Sequence, residues 1–245
     1  MANSQVHVAM IPALLRKDGL DRSLVIAVDL LRATTTIAHA IAAGASAVRL
    51  VAEPADAIRE RDGLGAAAAV AAGERGGVAP AGFDLGNSPR DFTRASVGGK
   101  TVVFTTTNGT KVIGAVKSAA TVITGALVNR RAAAERAVRH DGPVMIACAG
   151  TDGRVAMEDC IAAGAIIDAM LAIGGERDLT DPSQVCLWAW RGAGATTETL
   201  GAAVQAARGA RNLQGVGLGR DVADCLRVDT IDVVPMWNGE AIVGS

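Results

Sequence analysis

A chain of 245 residues with 24 Lys+Arg, 25 Asp+Glu and a formal net charge of −1 offers no basic field for nucleic acid or for an anionic membrane surface. Half of its residues are hydrophobic but only 2% are aromatic, so the core is expected to be aliphatic and helix-rich. The length suits one large α/β unit, or two closely packed lobes whose boundary the sequence does not mark. No apolar run approaches the ~20 residues that span a membrane. The first residues lack the charged-then-apolar pattern of a signal peptide. Cys148, Cys160, Cys186 and Cys225 lie far apart with no C-x-x-C. A cytoplasmic enzyme with reduced thiols is expected.

In chain order, Val6 to Ile11 predicts a first strand ended by Pro12. Leu24 to Val28, an unbroken apolar run, predicts a strand buried on both faces of a parallel sheet. The run stops at Asp29, and Arg32 with Thr34, Thr35 and Thr36 leads into a helix over 34–43 closed by Gly44. Ala47 to Val51 predicts a strand, and Pro54 suits the first turn of the next helix. Residues 66–72 are ambiguous. Alanine favours helix, but the position between a helix and the GERGG turn favours a strand, which is the reading adopted. Val78 to Ser88 has loop chemistry.

The second half alternates more cleanly. Strands are expected at Thr101 to Thr105, Thr121 to Thr124 and Val144 to Ala147, with helices at Gly109 to Ser118, Arg130 to His140 and Val155 to Ile173. Residues 182–226 read as mainly helical, and Val233 to Met236 as a last strand. The fold class expected from this alternation is α/β, a layered, largely parallel or mixed sheet flanked by helices.

Several predicted strands end in glycine and functional side chains: Asp29 and Arg32; Glu74 and Arg75 in GERGG; TTTNGT from Thr105 to Thr110; and CAGTDG from Cys148 to Gly153. Parallel strands would set these along one carboxyl edge, where open α/β sheets bind ligands. In TTTNGT, Asn108 precedes the helix that starts at Gly109, and backbone N–H groups at Gly109 and Thr110 could hold an oxyanion. A plain Asn-Gly turn is the alternative. In GFDLGNSP, Phe83 and Leu85 point inward by pattern and leave Asp84, Asn87 and Ser88 for a site. Glu158 and Asp159 sit early in the long helix, where the dipole favours acids in any case. Asp29 and Thr34 could serve only as helix caps, but capping has no use for Arg32.

No histidine spacing suits a metal, and no G-x-S-x-G or cysteine-arginine loop marks a covalent hydrolase. What remains is arginines for anions, hydroxyls for hydrogen bonds and carboxylates for a hard cation, of the kind that binds Mg²⁺. The candidate catalytic carboxylates are Asp29, Glu74 and Asp84. The candidate metal ligands are these three with Glu158 and Asp159, and the candidate substrate-binding residues are Arg32, Arg75, Asn87, Ser88, Asn108, Gly109 and Thr110. The reading is a Mg²⁺-dependent enzyme acting on a small anionic, phosphorylated acid. A non-catalytic anion sensor would have no use for so many acids. Neither nucleic acid nor membrane is an expected partner, and a homo-oligomer is.

These stretches, in this order, resemble the 2-phosphosulfolactate phosphatase family of the coenzyme M pathway. The carrying segments are DLLRATTTI, GERGG with GFDLGNSP, TTTNGT, CAGTDG through MEDCIAAG, and GRDVADCLRVD, from Asp29 to about Pro235. The resemblance implies an α/β fold of its own type and Mg²⁺-dependent hydrolysis of (2R)-O-phospho-3-sulfolactate to 3-sulfolactate and phosphate. It brings no catalytic assignment with it, so the residue roles above rest on chemistry. Gly174 to Gly217 matches least well.

Overall fold

A computed structural model describes residues 5–174, 177–194 and 196–245. The first half runs β1 (Gln5–Ala9), β2 (Leu24–Val28), α1 (Ala33–Ala42), β3 (Ala47–Leu50), α2 (Pro54–Leu64), β4 (Ala69–Gly73), α3 (Arg94–Val97), β5 (Thr101–Thr105) and α4 (Gly109–Ala115). The second runs β6 (Thr121–Gly125), α5 (Arg130–Val138), β7 (Val144–Cys148), α6 (Met157–Ala172), β8 (Asp178–Leu179), α7 (Asp181–Ala193), α8 (Thr197–Gln205), α9 (Arg208–Gly215), α10 (Arg220–Cys225), β9 (Pro235–Trp237) and β10 (Ile242–Gly244). The ambiguous stretch at 66–72 is a strand over 69–73. Short β8, β10 and α3 went unpredicted because each is too brief to show a period.

The described strands form one ten-stranded sheet in the order β4-β5-β3-β10-β9-β6-β2-β7-β1-β8. β2 lies between β6 and β7 with parallel pairing along its whole length. Its alternate residues feed two cores. Leu24, Ile26 and Val28 pack with α5, α6 and α7, while Val25 and Ala27 pack with α1 and α4. A strand covered on both faces needs apolar residues at every position, which is why LVIAV shows no alternation.

The sheet is not one parallel array. β4, β5 and β3 run parallel, as do β6, β2, β7, β1 and β8. Between these blocks stand β10 and β9, and the pairs β3–β10, β10–β9 and β9–β6 are all antiparallel. An odd number of reversals makes the blocks run in opposite directions. The expected single carboxyl edge is therefore corrected: the loops after β4 and β5 reach those after β2 and β7 from the opposing block.

The helix α6 is apolar almost all round because it lies between the sheet and α7. Gly164 makes that contact possible. A Cβ there would stand 1.9 Å from the Cys186 carbonyl oxygen and 2.9 Å from Trp190 Cβ. No described helix is long and apolar enough to cross a membrane. Gly164→Ala should lower stability by about 2 kcal/mol or more through overpacking. Gly63→Ala in α2, with nothing within 4 Å of the new methyl, should be neutral or stabilise by up to about 1 kcal/mol. Chemical denaturation of the two variants beside wild type measures both, and equal midpoints would contradict the close α6–α7 contact.

Candidate active site

The turn after β2 is fixed by its threonines. Thr34 Oγ1 accepts from the Asp29 N–H at 3.1 Å and donates to the Asp29 carbonyl at 3.0 Å. Thr35 Oγ1 donates to the Leu30 carbonyl, and Thr36 Oγ1 to the Asn87 carbonyl, each at 2.9 Å. The first two hold the turn, and the third ties it to the GFDLGNSP loop. The Asp29 carboxylate is left with one long bond, from the Ala33 N–H at 3.4 Å.

The opposing block meets this turn at Gly109. A Cβ on Gly109, at the start of α4, would lie 2.4 Å from Ala33 Cβ and 3.0 Å from Asp29 Oδ2. Only glycine lets α4 rest on the Asp29 turn. Glu74, just past β4, accepts from the Thr107 N–H at 2.7 Å through Oε1 and from the Gly77 N–H at 2.8 Å through Oε2. Arg32 completes the join. Its Nη1 donates to Asp221 Oδ2 at 2.5 Å and its Nη2 to the Gly77 carbonyl at 2.6 Å.

Around this junction lies a cavity of about 530 Å³, with Asp29, Arg32, Glu74, Asn87, Thr107 and Asn108 in its wall. Thr151 and Asp152, after β7, and Arg211 and Asn212, on α9, also line it. Buried oxygens with no partner stand in or beside it: Asn87 Oδ1, Thr107 Oγ1 and Glu158 Oε2. Unsatisfied buried acceptors of this kind are costly unless a ligand completes them.

The electrostatics are strongly frustrated. Burial pushes the Asp29 carboxyl up to about 7; the negative charges of Glu74 and Glu158 add to this, while the Ala33 N–H and Arg32 oppose it. Burial likewise raises Glu158. Asp159 is raised well above the usual carboxylate range by burial, then by Asp29 and Glu158, although it accepts from the Leu30 and Gly150 N–H groups at 2.9 Å each.

Compared with known proteins, residues 9–240 match the 2-phosphosulpholactate phosphatase family, a span that contains every residue of the cavity wall. The chain belongs to that family. A "probable 2-phosphosulfolactate phosphatase" of Synechococcus sp. (strain RCC307) is 37% identical over 219 residues, 86% of this chain and 87% of that protein. Proteins of the same description from Deinococcus radiodurans and Clostridium acetobutylicum are 39% identical over 214 residues and 31% over 229, covering 85% of both chains in the first case and 93% and 95% in the second.

Within this phosphatase-family chain, several candidates stand away from the cavity. Asp84 accepts from the Ala71 N–H at 2.8 Å and pairs with Arg61 at 3.0 Å, so it fastens its loop to β4 and α2. The Arg75 guanidinium is spent on the carbonyls of Glu74 and Ala52 and on the Thr105 hydroxyl. Ser88 donates to Asp221 at 2.9 Å. Thr110 is closed on Thr106 through both its amide and its hydroxyl, so its N–H does not have the oxyanion-holding place expected of it, and the Gly109 backbone is packed against Ala33. Asp159 has both oxygens on backbone N–H groups, and Glu158 is buried behind Gly209 of α9. Among the described residues, no three His, Cys, Asp or Glu side chains gather as a cation cage. The five-carboxylate ligand set is therefore divided, with Asp29 and Glu74 alone in the cavity wall.

The sequence reading missed Asp221, Arg211 and Asn212, and it marked the CAGTDG strand end without naming Asp152. Asp221 had a faint signal, an acid beside Val222 and Cys225 in the GRDVADC stretch; the others sit in segments with the composition of an ordinary surface. Asp221→Asn leaves the buried Arg32 charge unneutralised and should lower kcat/KM by about 10- to 100-fold. Asp84→Asn, outside the cavity, should stay within about threefold of wild type. Steady-state kinetics on both variants checks this, and the reverse ranking would contradict the geometry.

The raised Asp29 pKa also predicts a pH-dependent stability. Unfolded, Asp29 loses its proton near pH 4; folded and metal-free, it holds the proton to about 7. Between those values the native state binds more protons, so stability falls as pH rises, by at most about 4 kcal/mol for this group. Melting curves in chelator across that range should show the fall, and Asp29→Asn should flatten it. Identical slopes for the two proteins would count against the assignment.

Proposed function

We propose that this chain is a Mg²⁺-dependent phosphatase that hydrolyses (2R)-O-phospho-3-sulfolactate to 3-sulfolactate and phosphate. The observation that carries the reading is the composition of the cavity wall: the carboxylates of Asp29 and Glu74 beside a buried arginine and oxygens that lack partners, with Asp152 across the cavity paired to Arg208. The substrate carries a phosphate of about −1.5 to −2 near neutral pH, with a carboxylate and a sulfonate. Acids facing such a polyanion repel it unless a cation lies between them.

The donor set fits Mg²⁺, which is held by one or two carboxylates together with substrate oxygens rather than by an all-protein cage. Asp29 and Glu74 would hold it, with Asn87 Oδ1 and Thr107 Oγ1 as further oxygens in the same wall. When bound, it supplies charge neutralisation and Lewis-acid polarisation at the phosphoryl group. The chain's own residues do the rest. Arg32, with two N–H donors spent on Asp221 and Gly77, keeps further donors for phosphoryl oxygens. Asp221 and the Gly77 carbonyl fix the plane of that guanidinium, and Asn108 and Thr107 bound the other side. Phosphoryl transfer is catalysed chiefly by positioning and charge stabilisation, so this set suffices in kind.

Cysteine chemistry is not needed. Cys148 is fully buried, its thiol directed at the Asp159 carbonyl at 3.7 Å. The hydrogen bond with Cys160, then burial, raise its pKa, whereas a nucleophilic thiol needs the thiolate.

Phosphate release from phosphosulfolactate, phospholactate and other phosphorylated hydroxy acids tests the reading. Release is expected to be fastest from phosphosulfolactate, abolished by exhaustive EDTA treatment and restored by Mg²⁺. Asp29→Asn should cost about 100-fold or more in kcat. Full activity after chelation would sink the metal dependence, and equal rates on all substrates would sink the specificity.

A further inference from the structure

We propose that Arg211, on α9, recognises the second anionic group of the substrate, the sulfonate or carboxylate distal to the phosphoryl group. This rests on the phosphatase reading and identifies the specificity-determining residue of that site.

The case begins with where the positive charges are committed. Arg32 and Arg211 are the arginines in the cavity wall. Arg32 is buried and neutralised by Asp221, and its place beside the Asp29 turn suits the phosphoryl end. Arg75 is turned to the carbonyls of Ala52 and Glu74. Arg208, one turn before, lies 3.7 Å from Asp152. Among the described residues, Arg211 is thus the cavity-lining arginine with no carboxylate in salt-bridge contact. Its one side-chain hydrogen bond goes to the Ala206 carbonyl, which leaves most of its five donors open, and the Glu158 carboxylate feels its charge without reaching salt-bridge distance.

The helix is held so that this side chain faces the cavity. Gly209, Ala210 and Leu213 are buried, and a Cβ on Gly209 would stand 2.0 Å from Glu158 Oε1. α9 therefore seats its backbone on the acidic floor, while Arg211 and Asn212 line the space above. That wall is separate from the turn that carries Asp29 and Arg32 and from Glu74 at the end of β4. A substrate with its phosphoryl group at that turn has a second anion still to be answered, and a planar guanidinium holds a carboxylate or sulfonate through two parallel hydrogen bonds. The adjacent Asn212 amide offers a neutral donor.

The test compares wild type, Arg211→Gln and Arg211→Lys. Kinetics on phosphosulfolactate, with inhibition by 3-sulfolactate and by inorganic phosphate, separates the two ends of the substrate. Arg211→Gln should raise KM and the 3-sulfolactate inhibition constant together, by about 10- to 100-fold. Phosphate inhibition should change little, and Arg211→Lys should recover part of the loss. Equal weakening of phosphate and 3-sulfolactate, or no weakening of either, would overturn the inference. If wild type releases no phosphate, the phosphatase reading fails. Calorimetric titration of 3-sulfolactate against wild type and Arg211→Gln then still decides this inference, and equal affinities overturn it.

Discussion

The burial of several carboxylates side by side is the constraint on which the rest of this structure depends. Asp29, Glu74, Glu158 and Asp159 converge where water is largely excluded, and each raises the cost of ionising another or is itself raised by burial. A fold gains nothing in stability from such a cluster, since unpaired buried charge is among the most expensive features a core can hold. The surroundings limit that cost with backbone N–H groups. Glu74 takes two, Asp159 takes two and Asp29 one. These donors come from each acid's own parallel block, and the bonds that cross between the blocks are those of Arg32 to the Gly77 carbonyl and Thr36 to the Asn87 carbonyl.

The second tie is the Arg32–Asp221 pair. It joins the central turn to α10, and Ser88 bonds the other Asp221 oxygen. Three distant stretches are thereby locked to one carboxylate, and the α8–α10 segment becomes a wall of the cavity rather than a loose appendage. Specificity and catalysis can then be divided in space. The strand-end turns carry the acids and Arg32, and α9 carries Arg211 on its open side.

Much of the fold was legible because strand ends and helix starts coincide with sharp changes in chemistry. LVIAV before Asp29 and TVVFT before Thr106 mark their strands to the residue, and the strand expected at Val144 to Ala147 runs one residue further, to Cys148. The direction of the blocks was not legible. It is set by β9 and β10, three residues each, whose antiparallel pairing leaves no periodic trace. The site was legible where a residue's partner lies in its own motif, as with Asp29 and Thr34. It was obscure where the partner is remote. Asp84 and Arg75 look functional in isolation, but Ala71, Arg61 and Ala52 occupy them. Asp221 looks like an ordinary helix acid until folding sets it against Arg32, 189 positions away.

The central claim is that Asp29 is a carboxyl group kept protonated toward neutral pH by burial, with its acidic neighbours adding to the shift, and released by a cation. Carbon-13 NMR of the Asp29 carboxyl across pH, first in chelator and then with saturating Mg²⁺, measures this directly. The account predicts titration at about 7 without metal, and a fall into or below the ordinary aspartate range, about 4, once Mg²⁺ is present. Titration near 4 in both conditions, with no response to the metal, would contradict it.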